Sequence, residues 1–295
     1  MSRPGRGILP ELRIAVANFG PGGAGAERWD AAMFWDETVS VLRAWQPHIV
    51  LGQEISASAP GGLRAHLWLT ANTLGMVPLL GPPGPGSATV SHPAVLVATG
   101  AGLVIEDASP AWVSGGGAQP AWCEALVRVP GWPQLLRACS VDLPWRSGVE
   151  QRSQADRLAT RVAELAGLGE LALAGGNWNS YGRSGPVTAA GLDAVPLHLR
   201  PSRTRYSPQD RTLTPNYEVH DVLACVGMQD AAAVLAPALS DPDDRAPAAA
   251  QAVRIYLMRN LAGTATRYER PGPRDSGHRS LLLTLDGAAA ARTAP

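Results

Sequence analysis

Short apolar runs that end in a polar residue constrain the fold of this chain more than any other feature of its sequence. Leu12 to Asn18 reads L-R-I-A-V-A-N and is followed by a Gly-rich segment. His48 to Glu54 repeats the pattern, and so does Leu171 to Ala174 before the polar turn Gly175 to Ser180. Apolar runs of this length bounded by Gly and Pro are typical of buried strands. Each run is therefore predicted to be a strand that delivers a polar side chain to a loop.

Helical patterns lie between these runs. Trp29 to Trp45 carries apolar residues at mostly helical spacings, and Leu63 to Leu74 is predicted as a second helix. A third helix is predicted to begin at the capping box of Ser147 to Glu150 and to end with Gly167 as its C-cap. Further strands are predicted at Pro93–Ala98, Ala125–Val129, Leu135–Leu143, Val253–Leu257 and Ser280–Asp286.

No internal repeat and no clear linker divides the sequence, so we expect one domain over residues 1–295 with an ordered core at about 10–287. Within it, Arg183 to Asn216 is predicted to be a long loop. The Ala/Pro/Asp-rich segment 238–250 is predicted to be a flexible insertion, and the last nine residues are expected to fray.

The balance of charges argues against a protein that binds nucleic acid mainly through its phosphates. The 25 basic residues, all of them Arg, balance 25 acidic residues in a chain of 295. Extended nucleic-acid binding is therefore not expected, whereas a small anion in a local basic pocket is compatible with this composition. Three widely spaced Cys favour a reducing compartment over a disulfide framework. With no apolar run of about 18 residues, we expect a cytoplasmic protein without a membrane segment.

Polar residues able to bind a metal ion or orient a phosphate stand at the ends of several predicted strands. Turns favour Asn and Asp for local reasons, which is one reading of this recurrence. The other is that strand ends packed side by side bring these side chains to one rim. The residues concerned are Asn18, Glu54, Asp142, Asn177, Asn179 and, before the last strand, His278.

The order of the motifs favours the second reading. Taken together and in sequence, they resemble the endonuclease/exonuclease/phosphatase superfamily, which includes DNase I-like nucleases, inositol-phosphate phosphatases and sphingomyelinases. The resemblance extends over nearly the whole chain, although each motif is short. The motifs are Asn18, Gln53–Glu54, R-x-Q-A at Arg152–Ala155, G-N-W-N at Gly176–Asn179, G-M-Q-D at Gly227–Asp230, R-I-Y at Arg254–Tyr256 and S-G-H at Ser276–His278.

The resemblance implies a four-layer α/β sandwich, in which two mixed β-sheets pack face to face with helices outside. It also implies hydrolysis of phosphate esters with Mg²⁺ or Mn²⁺. Glu54 would be the principal metal ligand, as suits a hard cation. Asn18 would orient the phosphate or a metal-bound water, Asn179 would hold the phosphate, and His278 would stabilise the transition state or protonate an oxygen.

Four positions depart from the superfamily pattern, and each falls on a catalytic residue. Asn177 replaces the aspartate expected to activate water, and Gly277 replaces the aspartate that would orient His278. Val253 occupies a third aspartate position, and Asp142 stands where a catalytic histidine is expected. An amide cannot accept a proton at neutral pH, so general-base catalysis worth roughly 10²–10⁴ in rate is lost at Asn177.

Two residues offer replacements for the missing groups. Asp275 lies three residues before His278, and Asp142 supplies a carboxylate that could serve as base or second metal ligand. With fewer carboxylates, the site is expected to bind Mg²⁺ or Mn²⁺ weakly or not at all. We therefore expect a repurposed enzyme that uses Glu54, Asp142 and His278 on a small-molecule or phosphate-bearing, nucleotide-like ligand. The alternatives are an active metal-dependent phosphodiesterase or phosphatase, and an inactive module that binds a phosphate or a partner.

Two further features each have a structural and a functional reading. Trp178 in the G-N-W-N turn could stack on a flat ligand or pack in the core. The arginines of the long loop could recognise an anion or simply face solvent. They are Arg200, Arg203, Arg205 and Arg211.

Overall fold

The computed structural model describes residues 7–20, 31–56, 62–82, 91–107, 122–145, 147–183, 187–236, 253–270 and 280–293. The strands in these ranges are β1 Glu11–Asn18, β2 Ile49–Ser56, β3 Val77–Leu80, β4 Ser91–Val97, β5 Val104–Asp107, β6 Trp122–Arg128, β7 Leu136–Asp142, β8 Leu171–Asn177, β9 Thr204–Ser207, β10 Thr212–Pro215, β11 Met228–Asp230, β12 Val253–Met258, β13 Ala265–Glu269 and β14 Ser280–Asp286. The helices are α1 Ala31–Trp45, α2 Gly62–Leu74, α3 Gly148–Gly167, α4 Ala189–Asp193, α5 Arg200–Arg203, α6 Glu218–Cys225, α7 Ala231–Leu235, α8 Arg259–Ala262 and α9 Gly287–Ala290.

Two six-stranded mixed sheets form the centre of the molecule. Their strand orders are β13-β14-β1-β2-β4-β3 and β11-β12-β8-β7-β6-β5. The pairs β1–β2 and β7–β8 are parallel and their neighbours are antiparallel. Because β1 and β14 pair, segments near both ends of the sequence contribute to one sheet.

Three apolar clusters hold the layers together. The first lies between the sheets, where Ile14 and Val16 of β1 share a cluster with Leu173 of β8. The second joins the outer face of the β7–β8 sheet to α3 and α6, and the third joins the outer face of the β1–β2 sheet to α1 and α2. The predicted four-layer α/β sandwich is thereby confirmed.

The helix α3 begins as its sequence predicts but ends differently. The Ser147 hydroxyl accepts the Glu150 backbone N–H over 3.2 Å, as an N-cap does. Gly167 is still helical, Leu168 is the C-cap, and Gly169 takes the left-handed conformation with φ +73°. The prediction of Gly167 as the C-cap is therefore wrong. The left-handed conformation that commonly ends a helix, and that glycine adopts most readily, occurs two residues later at Gly169.

Other predicted boundaries also change. The segment 183–216, predicted as loop, contains α4, α5 and the β9–β10 hairpin in its described part, and α9 occupies residues predicted to fray. The segment 238–250 lies outside the described residues. In the described part of the chain no helix is both long and apolar enough to cross a membrane.

Candidate functional site

The carboxyl ends of two parallel strand pairs meet at one edge of the sandwich. Asn18 ends β1, and Glu54 lies near the end of β2 in the first sheet. Asp142 and Asn177 end β7 and β8 in the second sheet. Because β1 pairs in parallel with β2 and β7 with β8, the polar residues that follow each apolar run arrive at this edge together.

Small residues and two buried hydrogen bonds bring the two sheets close beneath this edge. Gln53 Nε2 donates to Ser140 Oγ over 3.0 Å, and Ser140 Oγ donates to the Gly52 carbonyl over 2.7 Å. A Cβ at Gly175 would lie 2.7 Å from side-chain atoms of Leu51 and of Val16. A larger residue at Gly175 would therefore push the sheets apart and separate the residues at the edge.

Glu54 is the centre of the side-chain cluster. Its Oε1 accepts a hydrogen bond from Asn18 Nδ2 over 2.7 Å and another from Asn177 Nδ2 over 3.3 Å. Asn18 also accepts the Gly20 backbone N–H at Oδ1 over 2.8 Å, which fixes the orientation of its amide. Three residues that are distant in sequence and belong to both sheets thus meet within hydrogen-bond distance.

The backbone of this edge is strained at two positions. Glu54 has φ +54° and Asn179 has φ +50°. Both values lie in the left-handed region of backbone conformation, which residues other than glycine adopt uncommonly. Such conformations cost about 1–3 kcal/mol each and persist where the surrounding structure holds them. In β2 the register with β4 shifts between Gly52 and Ile55, so a bulge turns the Glu54 side chain toward the cluster.

Asn179 is held separately from the cluster. Its Nδ2 donates to the Leu143 carbonyl over 2.8 Å, and its Oδ1 accepts from Arg203 Nη2 over 3.3 Å. Its backbone carbonyl accepts from Gln151 Nε2 of α3 over 3.0 Å. Contacts with Leu143, Arg203 and Gln151 therefore fix the conformation of this buried asparagine.

Asp142, Asn177 and Val253 form a row across the second sheet. Asp142 is the register partner of Asn177 in β7–β8, and Val253 is its partner in β12–β8. Register partners place their side chains on the same face of a sheet. Because Val253 belongs to the apolar cluster between the two sheets, this row lies on the inner face of the second sheet. His278, Gly277 and Asp275 lie outside the described residues, so their predicted roles stay predictions.

Comparison with solved structures identifies this arrangement. An endonuclease/exonuclease/phosphatase from Bacteroides vulgatus matches with a TM-score of 0.60 and 13% identity over 93% of this chain and 98% of its own. An AP endonuclease from Archaeoglobus fulgidus matches with a TM-score of 0.60 and 14% identity over 93% and 99%. This chain has the endonuclease/exonuclease/phosphatase fold. A mannosyl-6-phosphatase from Bacteroides thetaiotaomicron also matches, with a TM-score of 0.56 and 13% identity over 92% and 98%.

The likeness is one of structure. No protein-family model matches the chain, and no curated protein matches it by sequence. At 13–14% identity the comparisons establish the endonuclease/exonuclease/phosphatase fold and not the activity of this chain.

Trp178 and two of the four loop arginines have structural roles in this fold. Trp178 is fully buried, and its Nε1 donates to the Arg254 carbonyl over 3.1 Å, so it packs in the core and does not stack on a ligand. Arg200 donates to the backbone carbonyls of Asp193 and Val195, and Arg205 forms an ion pair with Glu218. These two arginines therefore do not form a joint anion-binding loop with Arg203.

Sequence reasoning missed two buried residues near Asn179. Gln151 follows the capping box of α3, and it holds both Asn179 and the Pro144 carbonyl. Tyr181 is buried, and its hydroxyl has no hydrogen-bond partner among the described residues. Burial raises the pKa of Tyr181, although the nearby charge of Arg203 opposes this shift. No spacing in the sequence indicates either role, since both depend on the tertiary fold.

The donor set at the edge fits a hard cation only in part. No group of three His, Cys, Asp or Glu side chains suited to a metal ion occurs in the described ranges. However, Asn177 Oδ1 is buried without a partner among those residues, and Asn177 contacts the Glu54 carboxylate through its nitrogen. Mg²⁺ usually keeps several waters and is bound by one or two carboxylates together with the phosphate oxygens of a ligand. One carboxylate and one amide oxygen are compatible with this mode of binding.

A cavity of about 460 Å³ lies at the opposite edge of the first sheet. It is lined by residues at the beginnings of β1 and β2, including Arg13 and His48, and by Arg43 at the end of α1. The cluster around Glu54 is at the other end of these strands, so this cavity is not part of the candidate site.

Proposed function

We propose that this chain binds a small phosphate-bearing or nucleotide-like molecule at the edge formed by Asn18, Glu54, Asn177 and Asn179. We further propose that phosphoester hydrolysis at this site is impaired or has been replaced by other acid–base chemistry. The endonuclease/exonuclease/phosphatase fold supports the choice of a phosphate-bearing ligand. The neutral charge of the chain favours a small ligand over extended nucleic acid.

One contact carries the proposal of impaired hydrolysis. Asn177 Nδ2 donates a hydrogen bond to Glu54 Oε1 over 3.3 Å, so the residue that replaces the expected base acts as a hydrogen-bond donor. An amide has no basic lone pair that could take a proton from water at neutral pH. Without a general base, the attacking water would have to lose its proton to bulk solvent or to another group.

Asp142 and His278 are the candidates for that other group. Asp142 lies beside Asn177 in the β7–β8 ladder and is half-buried, so its carboxylate can reach the same edge. His278 precedes β14, whose first residue pairs with Ala17 next to Asn18. In this proposal Asp142 takes up the proton, His278 returns one to the product, and Asn18 and Asn179 orient the ligand.

Glu54 and Asn177 Oδ1 would hold a divalent cation, Mg²⁺ or Mn²⁺. When bound, such an ion would polarise a phosphoryl oxygen of the ligand. Because this pair supplies a single carboxylate, we expect an affinity that depends strongly on the phosphate of the ligand.

The unpaired cysteines bear on where this chemistry takes place. Cys123 and Cys139 are buried as free thiols, and Cys225 is exposed as one. Free thiols persist in a reducing compartment, which supports our proposal that the chain acts in the cytoplasm.

The proposal is tested with an activated phosphodiester, bis(4-nitrophenyl) phosphate, in the presence of Mg²⁺ or Mn²⁺. We expect slow turnover by the natural chain and a gain of about 10²–10⁴ in rate in the double variant Asn177→Asp with Gly277→Asp. Adding Glu54→Gln to the double variant should abolish the gain. Asn72→Asp is the matched control, because Asn72 is exposed on α2.

Two results would contradict the proposal. Fast metal-dependent turnover by the natural chain, lost in Glu54→Gln, would show that the site is an intact hydrolase. A folded double variant that binds Mg²⁺ but hydrolyses no faster than the natural chain would show that Asn177 is not the limiting substitution.

A further inference from the structure

We propose that the cavity at the opposite edge of the first sheet is a second binding site, which takes a small organic anion with an apolar body. Its volume of about 460 Å³ falls within the range of about 300–1,000 Å³ that is usual for small-molecule sites. The inference goes beyond the proposed function and does not depend on it, because the residues that line the cavity are not those of the edge around Glu54.

The cavity is separated from the Glu54 cluster by the length of the strands. Arg13 lies in β1 five residues before Asn18, and His48 directly precedes β2. At a rise of about 3.3 Å per residue, five residues of extended strand cover roughly 17 Å. A compact molecule that fills about 460 Å³ is shorter than this distance, so one ligand does not occupy both places.

The polar part of the cavity lining is positively charged. Arg13 and Arg43 contribute to it, and the described part of the lining contains no Asp or Glu. Neither arginine forms an ion pair with any residue that the structure describes. Guanidinium groups form parallel charge-assisted hydrogen bonds with carboxylates and phosphates. The lining therefore favours a ligand that carries one of these oxyanions.

Local roles account for only part of this charge. Arg13 Nε donates to the Gln46 carbonyl just beyond α1 over 3.0 Å, and Arg43 lies in the last turn of α1, where a cation complements the helix dipole. A guanidinium has five N–H donors, so this bond leaves four on Arg13. Within the described ranges these four have no acceptor, and the guanidinium of Arg43 has none either. A bound oxyanion would supply acceptors for them.

His48 adds a neutral donor to the two charges. Its Nδ1 accepts the Arg13 backbone N–H over 3.0 Å, so the neutral ring carries its proton at Nε2. Burial and the charge of Arg13 lower the pKa of His48, although the charge of Glu11 opposes this shift, so the ring is neutral at pH 7. Glu11 is exposed and is not among the residues that line the cavity. The charge of the lining thus comes from the arginines.

The rest of the lining makes an organic anion a better fit than an inorganic one. Leu42 and Met76 are buried, and the half-buried Leu74 and Ala98 line the cavity with them. Apolar surface beside a few polar groups is typical of sites for small organic molecules. An apolar body would displace water from this surface, whereas an inorganic ion would leave it hydrated.

Calorimetric titration of the full chain with three small molecules tests the inference. The two anions, 1-naphthaleneacetate and 1-naphthylmethylphosphonate, share the same ring and differ in the oxyanion. The third, 1-naphthaleneacetamide, is the neutral counterpart of the carboxylate. We expect at least one anion to bind, and the tighter one identifies the preferred oxyanion. The amide should bind about tenfold or more weakly than that anion, because it forms no charge-assisted hydrogen bonds.

Two variants of the chain test the position of the ligand. Arg43→Met should weaken binding of the anion about fivefold, and Ala101→Phe, at an exposed position of the lining, should fill the cavity and abolish binding. Arg259→Met is the matched control for charge, because Arg259 is also exposed in the last turn of a helix. Ala44→Phe is the control for size, at an exposed position of α1 that does not line the cavity. Both controls and Glu54→Gln should bind like the natural chain.

Several results would overturn the inference. One is that the natural chain binds neither anion, and another is that it binds the carboxylate and its amide equally well. Unchanged affinity in either Arg43→Met or Ala101→Phe would also overturn it, and so would loss of binding in Glu54→Gln, which would place the ligand at the other edge. If Ala101→Phe fails to fold, Arg43→Met decides.

Discussion

Asp142 lies directly opposite Asn177 in the parallel β7–β8 ladder, and Asn177 contacts the carboxylate of Glu54. Asn177 therefore has one acidic residue beside it in the ladder and contacts the carboxylate of a second. Asn177→Asp would add a third carboxylate next to these two residues, where like charges repel. In the absence of metal we expect its melting temperature to fall by about 4 °C or more, and Mg²⁺ to restore it. Thermal melts with EDTA and with Mg²⁺ measure both effects.

The exposed variant Asn72→Asp provides the comparison for that experiment. It adds the same charge to the surface of α2, away from the cluster, and should respond to neither EDTA nor Mg²⁺. A variant Asn177→Asp that is as stable as the natural chain in EDTA would mean that the three side chains are too far apart to interact.

The sequence predicts the strands of this edge because their signal is local. Buried strands need continuous apolar runs, and the runs ending at Asn18 and Asn177 are bounded by glycines that mark their ends. The order of these runs and their polar ends also sufficed to indicate the superfamily fold. The structure brings Asn18, Glu54 and Asn177 together, while their chemical roles stay predictions.

What the sequence does not predict depends on contacts between distant segments. The left-handed backbone of Glu54 occurs together with its side-chain contacts to Asn18 and Asn177, and no propensity of Glu favours that conformation. The contact of Arg203 with Asn179 joins segments 24 residues apart in sequence. A loop-like composition hid the β9–β10 hairpin, because short strands in a polar segment show too few residues for a period.

Gly176 is required by the close approach of β7 and β8 just before Asn177. Its φ is +155°, and a Cβ there would lie 1.9 Å from the Val141 carbonyl oxygen. We expect Gly176→Ala to lower the free energy of unfolding by about 3 kcal/mol or more, because backbone of the central sheet would have to move. Urea denaturation measures the loss. Gly263→Ala is the control, since a Cβ at Gly263 meets nothing within 4 Å, and a similar loss there would refute the steric explanation.

The buried ion pair of Arg254 and Asp230 anchors β12 to the start of α7. Arg254 Nη1 lies 2.8 Å from Asp230 Oδ2, and both side chains are almost fully buried. Asp230→Asn keeps an N-cap for α7 but removes the negative charge that lies 2.8 Å from the buried guanidinium, so we expect a loss of about 3–5 kcal/mol in unfolding free energy. Asp221→Asn removes the exposed partner of Arg183 and should cost less than about 1 kcal/mol. Equal losses in chemical denaturation would contradict this ranking.

We expect His48 to make the stability of the folded protein depend on pH. Its Nδ1 accepts the Arg13 backbone N–H over 3.0 Å, which requires an unprotonated nitrogen. Burial first, and then the charge of Arg13, lower the pKa of His48 below its usual 6.5, although Glu11 opposes the shift. As the pH falls below about 6.5, the unfolded chain therefore binds the proton before the folded chain does, and protonation favours unfolding.

Stability that is present above pH 6.5 should thus be lost as the pH falls toward the folded-state pKa of His48. His48→Gln cannot titrate, so its unfolding free energy should decline less steeply with falling pH than that of the natural chain. Burial also lowers the pKa of His220, which contributes a change of the same sign, so the slope should decrease without vanishing. Urea denaturation at several pH values measures the slopes. Identical slopes for the two proteins would show that His48 titrates alike in the folded and unfolded chains.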